Sequence, residues 1–349
     1  MTAITTVTAI DIPEKELQIR YLNLADVAGL LPSLGEQMAL SERALVAAAR
    51  GEGDMPPKIG LHLCGEAFLN AMPAAVLSPH ATVGMKWVSG FPTNAERGLP
   101  YIMGLIVLND AETGAPLCIM DAVAITAVRT AAVTGVFLKY LLAPWAANAF
   151  VLGAGVQARA HIPILAALMP GVRVWVGDAV TERAARLAEW AQSQDGIGSC
   201  VPVQLGSAEA ERALKQSDVV LTAGTTIGRC QGLITPEGLG ERALVIALDW
   251  NTLVPGSVME GADLFVVDDR RQYEYQKGLR QDFSDYPETG PAVGELIDAG
   301  FSRGTDDAIG RITAMPLGIA AVDVLFAECI NRKAADVDAG TMLSLWGCE

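Results

Sequence analysis

The fold is decided by the stretch Phe150-Val151-Leu152-Gly153-Ala154-Gly155-Val156-Gln157-Ala158. In it an apolar strand runs into a glycine-rich turn, and a helical pattern follows over residues 156–168. The spacing fits GxGxxG/A, in which the first glycine makes the tight turn, the second lets a pyrophosphate approach the backbone, and the small third residue permits close helix–strand packing. We therefore predict a dinucleotide site whose phosphates lie at the N-terminus of that helix.

The next predicted strand ends in an acid that selects the cofactor. Asp178 closes this strand about 20 residues after the glycine motif, where a carboxylate can bind both ribose hydroxyls and repel a 2′-phosphate. No arginine directly follows Asp178, so the pattern favours NAD over NADP. Thr222 and Ala223 follow another predicted strand and either lie beside the cofactor at the same sheet edge or form only a turn.

Short apolar runs alternate with helical patterns from residue 145 onward. The predicted strands are residues 150–152, 172–176, 201–205, 219–221, 244–248 and 264–267. Helical patterns separate the earlier ones, near residues 156–168, 181–193 and 207–216. Strand, helix and strand at this spacing predict an α/β fold with a parallel sheet covered on both faces.

The first part of the chain has a different pattern of apolar residues. Apolar runs over residues 101–108 and 115–120 flank a turn-forming segment, residues 109–114, and predict a β-hairpin in an antiparallel region. Residues 122–142 then form a helical pattern of Ala, Val, Leu and Thr. A further helix is predicted over residues 319–335 near the C-terminus.

The composition argues against several classes of function. Of 349 residues, 51% are hydrophobic and 19% are charged, and the net charge is −15. The apolar content suits a large core, whereas nucleic acids and anionic membranes require clustered Lys and Arg. The six cysteines form no CxxC pair, the three histidines lack metal-ligand spacing, and no leader pattern precedes the first strand. We therefore expect a soluble cytoplasmic protein with reduced thiols and no metal site.

Two cations interrupt apolar segments. Lys86 lies within the strand-like run 83–88, and Arg129 lies within the helical pattern 122–142. A buried cation without a partner costs free energy, so each is expected to face a carboxylate, a ligand or water. The alternative is that the lysine reaches the surface and the arginine pairs with a structural acid.

The segments around these cations resemble those of a known family. In chain order they are Gly84-Met85-Lys86-Trp87-Val88, Phe91-Pro92-Thr93-Asn94, Gly98-Leu99-Pro100, Asp110 with Thr113-Gly114, Met120-Asp121, Ile125-Thr126-Ala127, Arg129-Thr130-Ala131-Ala132 and Gly153-Ala154-Gly155 with Gln157-Ala158. Over roughly residues 55 to 330 the sequence resembles the ornithine cyclodeaminase/mu-crystallin family.

The resemblance implies a domain organisation. A Rossmann NAD-binding domain, residues 144–317, would be inserted into an α+β substrate-binding and dimerisation domain, residues 1–143 and 318–349. The unit would be a homodimer.

The resemblance also implies a substrate and a set of site residues. The substrates would be small amino or imino acids whose carboxylate is bound by Lys86, Arg129 and a third basic residue, Lys58. Thr130 would contact the dinucleotide together with the glycine loop. An arginine suits this carboxylate because its guanidinium forms two parallel hydrogen bonds, and a desolvated Lys86 can exchange a proton with an amine.

One departure from the family pattern bears on the reaction. Ornithine cyclodeaminases carry an aspartate two residues before a proline, and if Pro255 is that proline the position holds Leu253. Asp249, a candidate catalytic acid, can substitute only if the loop follows another path; otherwise it caps a turn at the strand end. Asp268 and Asp269, followed by Arg270 and Arg271, are interpreted as a solvated strand end.

These observations favour an NAD-dependent oxidoreductase that transfers hydride at the α-carbon of an amino or imino acid, as an amino acid dehydrogenase or imine reductase does. Two alternatives stay open. One is an ornithine cyclodeaminase-type ammonia lyase that uses bound NAD⁺ catalytically. The other is a non-catalytic NAD(H)-binding protein of the mu-crystallin type.

Overall fold

The computed structural model describes residues 16–63, 67–224, 233–249, 253–279, 283–305 and 309–346. Within these residues the chain forms two β-sheets, which are flanked by α-helices. Short 3₁₀ helices occur at Pro92–Arg97 and Arg303–Thr305.

The first sheet has eight strands among the described residues. They are β1 (Leu17–Leu22), β2 (Gly53–Asp54), β3 (Ile59–His62), β4 (Phe68–Val76), β5 (Thr82–Gly90), β6 (Ile102–Asn109), β7 (Pro116–Asp121) and β15 (Thr341–Trp346). Their order is β15-β1-β7-β6-β5-β4-β2, and β3 pairs with β4. The helices on this side are α1 (Leu24–Gly29), α2 (Leu34–Arg50), α3 (Val123–Leu141) and α10 (Ala320–Asp336).

The predicted hairpin is confirmed, because β6 and β7 pair antiparallel around a turn. In that turn the carboxylate of Asp110 accepts the backbone N–H of Thr113 at 2.8 Å, which is a typical Asx arrangement. The expectation of an antiparallel region is only partly correct, since β1 pairs with β7 in parallel. Strand β15 was not predicted, because a short apolar run that pairs only at a sheet edge carries little periodicity.

The second sheet is of the Rossmann type. In the described part of the chain it has seven strands, all parallel, in the order β10-β9-β8-β11-β12-β14-β13. They are β8 (Asn148–Leu152), β9 (Val172–Asp178), β10 (Ile197–Gln204), β11 (Val219–Thr222), β12 (Leu244–Ala247), β13 (Leu264–Val267) and β14 (Ile312–Met315). The helices are α4 (Val156–Leu168), α5 (Thr181–Gln192), α6 (Ala208–Gln216), α7 (Gly256–Glu260), α8 (Arg270–Leu279) and α9 (Val293–Asp298).

The strand order of the second sheet places a ligand crevice. Strands β8, β9 and β10 progress in one direction and β11 lies on the other side of β8, so the order reverses between β8 and β11. Ligands of open α/β sheets bind outside the carboxyl ends of the strands at such a switch point. All six predicted strands are confirmed, whereas β14, a buried run of four residues inserted between β12 and β13, was missed.

Helix α3 connects strand β7 of the first sheet to strand β8 of the second sheet. Among the described residues it alone is long and apolar enough to cross a membrane, but 56% of its apolar window is buried inside the protein. It packs against α2, α4 and α10, so it is a core helix here. His161 of α4 is fully buried beside it, with Nε2 2.8 Å from Oγ1 of Thr134 and Nδ1 2.6 Å from the carbonyl oxygen of Gln157.

The chain returns from the second sheet to the first through a short crossover. After β14 it passes through Leu317 and Gly318 and enters α10. Helix α10 packs on β4, β5 and β6 of the first sheet and on α2 and α3. The crossover therefore brings the edge of the Rossmann sheet next to the helices and strands of the first sheet, and the site described below lies there.

Candidate active site

The glycine loop is shaped by a backbone that passes very close to it. Gly153 has φ +110°, and a Cβ atom there would lie 2.6 Å from the carbonyl oxygen of Ala223 and 2.8 Å from the backbone nitrogen of Gly224. Only glycine fits this position without displacing the backbone. The Thr222–Ala223 segment thus lies at the same sheet edge as the loop, and the N–H of Ala223 donates to the carbonyl oxygen of Leu152 at 2.7 Å.

The second glycine faces open space. Gly155 is the N-cap residue of α4, with φ −86° and no side-chain cap, and a Cβ atom there would meet no atom within 4 Å. The N–H groups of the first helical turn are therefore available to an anion. The Oε1 atom of Gln157 is buried without a hydrogen-bond partner in the described structure. These features fit the pyrophosphate of a dinucleotide.

Asp178 lies at the end of β9 and braces the glycine loop. One carboxylate oxygen accepts the N–H of Ala154 at 2.8 Å and the other accepts the N–H of Val180 at 2.8 Å. The carboxylate is therefore held at the loop, where it can meet a ribose. The loop, the helix start and the acid together form a cradle that fits NAD.

Asp249 forms the capping arrangement that was the alternative to a catalytic role. The hydroxyl of Thr222 donates to Oδ1 of Asp249, and the N–H of Leu253 donates to Oδ2 at 2.7 Å. Leu253 is 3% exposed, and its Cδ1 atom would lie 2.9 Å from a Cβ atom on Gly224. The loop after β12 is thus fastened to the end of β11, and Leu253 packs in the core.

Two predicted cations meet at one carboxylate that was not predicted. The ammonium of Lys86 on β5 lies 2.7 Å from Oδ1 of Asp323 on α10. The Nε atom of Arg129 on α3 lies 3.1 Å from the same oxygen. The three residues are 1%, 8% and 0% exposed, respectively. Thr130, next to Arg129, is partly exposed and donates its hydroxyl to the carbonyl oxygen of Thr126 at 2.8 Å.

Lys58 contacts the crossover at Leu317 and helix α8 of the Rossmann half. Its ammonium donates to the carbonyl oxygen of Leu317 at 2.6 Å, and its backbone N–H donates to Oε1 of Gln272 on α8 at 2.9 Å. The adjacent N–H of Gly318 donates to Oδ2 of Asp268 at 2.5 Å. Lys58 is 6% exposed, so it is a buried residue and not a solvated loop lysine.

The interpretation of Asp268 and Asp269 as a solvated strand end is wrong. Asp268 is 1% exposed and Asp269 is 6% exposed. Asp269 accepts the N–H of Gln272 at 2.7 Å at the start of α8, while Asp268 accepts from the crossover. Two adjacent acids at a strand end are typical of a solvent-exposed position, and the sequence alone does not show that the crossover covers them.

Burial shifts the pKa values of three groups in this cluster towards neutral pH. Burial and, after it, the nearby Arg129 lower the pKa of Lys86 to about 8, although Asp323 opposes both effects. Burial also lowers the pKa of Lys58, and it raises the pKa of the Asp268 carboxyl. Such groups can hold or transfer a proton near neutral pH.

The cluster carries an excess of positive charge. When ionised it holds three cations and two carboxylates: Lys58, Lys86, Arg129, Asp268 and Asp323. The adjacent Asp269 is paired with Arg271, 4.0 Å away, and this pair leaves the balance unchanged. One additional carboxylate would neutralise the cluster. Asp323 was missed by sequence reasoning, although an acid in the apolar run Ala320 to Phe326 is the same signal that identified Lys86 and Arg129.

The comparisons with known proteins agree with this architecture. The sequence profile of the ornithine cyclodeaminase/mu-crystallin family matches residues 20–335. The chain is 31% identical over 330 residues to the nodulation efficiency protein NfeD of Rhizobium meliloti, covering 93% of this chain and 98% of that protein. It is 28% identical over 340 residues to alanine dehydrogenase of Archaeoglobus fulgidus, covering 95% and 99%.

A solved structure is similar over the whole chain. An archaeal alanine dehydrogenase dimer with bound NAD superposes with a TM-score of 0.80 and 28% sequence identity, covering 94% of this chain and all of that one (100%). The chain belongs to the ornithine cyclodeaminase/mu-crystallin family, and the resemblance stated from the sequence is confirmed.

Proposed function

We propose that this protein is an NAD-dependent oxidoreductase that interconverts a small amino acid and its imine by hydride transfer at the α-carbon. The observation that carries the proposal is a buried cluster at the carboxyl ends of the Rossmann strands. In it lie Lys58, Lys86 and Arg129. Its excess positive charge complements one substrate carboxylate. The NAD-binding relatives, among them the alanine dehydrogenases, support the same reaction class.

In this proposal the basic residues bind and orient the substrate. Arg129 and Lys86 hold the carboxylate, with Lys58 as the third cation. Because these groups are almost completely buried, water is excluded and their attraction for a carboxylate is strengthened. When bound, NAD supplies the hydride donor or acceptor, and the glycine loop with Asp178 and Thr130 holds it.

Lys86 moves the proton that accompanies the hydride, directly or through an ordered water. Reduction of an imine adds a hydride to carbon and a proton to nitrogen, and oxidation reverses both steps. A lysine whose pKa is lowered by burial is suited to this exchange because both its forms are populated near neutral pH. Asp249 supports the loop beside the cofactor rather than the proton transfer, since Thr222 and Leu253 donate to its two oxygens.

The test is a steady-state assay with NADH against 2-oxo acids with ammonia or methylamine, and against cyclic imino acids. We expect NADH consumption in step with the amino acid formed. Replacing Arg129 with Lys should raise the KM for the carboxylate substrate, by about 10- to 100-fold if about 1.5–3 kcal/mol of charge-assisted hydrogen bonding is lost. Arg212→Lys, an exposed change on α6, is the matched control and should leave KM unchanged.

The alternatives give different outcomes in the same assay. Ammonia release from ornithine without net NADH formation would establish the cyclodeaminase reaction instead. Binding of NADH without turnover across the whole panel would indicate the non-catalytic protein. The burial of Leu253 and the engagement of Asp249 disfavour the cyclodeaminase, because neither residue offers a free carboxylate to the amine.

We also propose that the protein is a homodimer through the outer face of the first sheet. The inner face is covered by α10, whereas large apolar side chains on the outer face are 36–44% exposed: Tyr21, Trp87, Leu105 and Leu117. A contiguous apolar sheet face of this kind is typical of a subunit interface. Light scattering of the purified protein should give twice the chain mass of 36.7 kDa, and a stable monomer contradicts the proposal.

The domain boundaries and the cellular location are also proposed. We assign residues 144–317 to the NAD-binding domain and residues 1–143 with 318–349 to the substrate-binding and dimerisation domain. We also place the protein in the cytoplasm, which is supported by three buried free thiols among the described cysteines: Cys118, Cys200 and Cys329. The other three cysteines lie outside the described residues.

A further inference from the structure

Asp323 is a carboxylate in an unfavourable place. It lies in the first turn of α10, is 0% exposed, and has apolar neighbours in sequence on both sides. A buried carboxylate is costly unless cations or hydrogen-bond donors compensate it. Here a single oxygen, Oδ1, faces both Lys86 and Arg129.

The compensation of this carboxylate is incomplete. Its second oxygen, Oδ2, has no hydrogen-bond partner within the described residues, and the Nε atom of Arg129, although 3.1 Å from Oδ1, is not aligned for a hydrogen bond. Buried polar groups retained for stability are normally fully hydrogen-bonded, because each unsatisfied atom costs free energy. An ionic cluster that tolerates unsatisfied atoms is better explained by a functional requirement than by stability.

The guanidinium of Arg129 is also confined on its other edge. Gly318 has φ +87°, and a Cβ atom there would lie 2.8 Å from Nη1 and 3.2 Å from Nη2 of Arg129. Arg129 thus lies between Asp323 on its Nε side and the backbone of the crossover. Its position and that of Lys86 both depend on the same carboxylate.

We propose that Asp323 is a positioning residue that keeps the ammonium of Lys86 protonated and close to the guanidinium of Arg129, so that the two cations together bind the substrate carboxylate. The inference rests on the proposed function for the identity of the ligand. The pairing itself rests on the geometry of β5, α3 and α10.

The physical reason is the repulsion between two buried cations. The charged groups around Lys86 act in opposite directions: Arg129 on α3 and Lys58 before β3 favour its neutral form, whereas Asp323 on α10 favours its charged form. Asp268 after β13 acts on Lys58, whose charged form it favours. Asp323 is the acid in direct contact, at 2.7 Å. Without its charge, Arg129 and Lys58 still repel the ammonium, and Lys86 releases its proton at lower pH.

Asp323→Asn tests this, because it retains the size of the side chain and an acceptor oxygen but removes the charge. In the wild type we expect kcat/KM to fall as pH rises through the pKa of Lys86, about 8. In the variant this alkaline limb should move to lower pH by at least about one unit, with a KM for the carboxylate substrate at pH 8 raised about fivefold or more. A uniform loss of kcat at every pH, with the limb unmoved, overturns the proposal.

A second readout does not depend on turnover. The chain has seven lysines, so the NMR titration of [ε-¹³C]lysine protein in complex with NADH resolves few signals, and Lys86→Met assigns the relevant one. The pKa of Lys86 should fall by at least about one unit in Asp323→Asn. An unchanged pKa refutes the role of Asp323 whatever the activity. A lowered pKa in a protein that turns over no amino or imino acid refutes the proposed function instead.

Two variants control for folding. Asp323→Glu keeps the charge, so the limb should stay within about half a unit of the wild type even where kcat falls, and a shift as large as that of the asparagine variant contradicts the proposal. Asp218→Asn removes another structural carboxylate, which accepts the N–H groups of Ala147 and Asn148 at 2.9 Å each. It should leave the limb in place.

Discussion

Alanine substitutions at the two glycines of the loop separate folding from cofactor binding. At Gly153 the new Cβ atom would lie 2.6 Å from a backbone oxygen at φ +110°. A backbone conformation that L-residues avoid costs about 1–3 kcal/mol, and overpacking costs a further 1–3 kcal/mol or so. We therefore expect Gly153→Ala to lower the stability of the cofactor-free protein by about 2–6 kcal/mol and its Tm by about 3–8 °C.

Gly155→Ala is the matched change on the same loop. At φ −86° with no atom within 4 Å, the methyl group fits the cofactor-free protein. Replacing glycine by alanine at a helix N-cap costs less than about 1 kcal/mol. The methyl group occupies the space through which a pyrophosphate approaches the helix N-terminus, so NADH affinity should fall by about 10- to 100-fold.

The assay is thermal unfolding with and without NADH, with affinities measured by calorimetry. At 100 times the wild-type Kd, NADH stabilises the native protein by about 2.7 kcal/mol, whereas a variant that binds 30-fold more weakly gains only about 0.9 kcal/mol. Gly155→Ala should keep the cofactor-free Tm and lose most of the gain. A full NADH-dependent gain in Gly155→Ala, or an unchanged cofactor-free Tm in Gly153→Ala, would refute the reasoning from the loop geometry.

Two further predictions concern Asp178 and His161. Asp178→Ala should raise kcat/KM with NADPH relative to NADH at least tenfold or so, because the repulsion of a 2′-phosphate is removed; an unchanged ratio argues against a ribose contact. Burial lowers the pKa of His161 to about 4, below its ordinary 6.5, so its contribution to stability is complete above pH 6.5 and is lost as pH falls towards 4. In denaturant titrations wild type should lose up to about 3 kcal/mol more than His161→Gln over that range. The comparison with the variant removes the opposite effect of Asp268, whose pKa is raised. Equal losses of stability in the two proteins would show that the pKa of His161 is not lowered in the folded protein.

The Rossmann half could be predicted from the sequence because its signals are local. A strand that runs into Gly153 and Gly155, with an acid at Asp178 after the next strand, places three elements by spacing alone. The predicted strands and helices match the structure with boundary shifts of a few residues. Strand β14 was missed because a four-residue apolar run has no period that distinguishes it from a buried loop.

The sequence by itself determined the sheet, the glycine loop and the presence of cations in apolar segments. Each of these follows from spacing or from the cost of burying a charge without a partner. Only the tertiary structure decided what those cations face. Lys86 and Asp323 are 237 residues apart in the chain, and Lys58 reaches Leu317 across 259 residues. The crossover into α10 brings these groups together, and no local pattern encodes a contact between segments so distant in the chain.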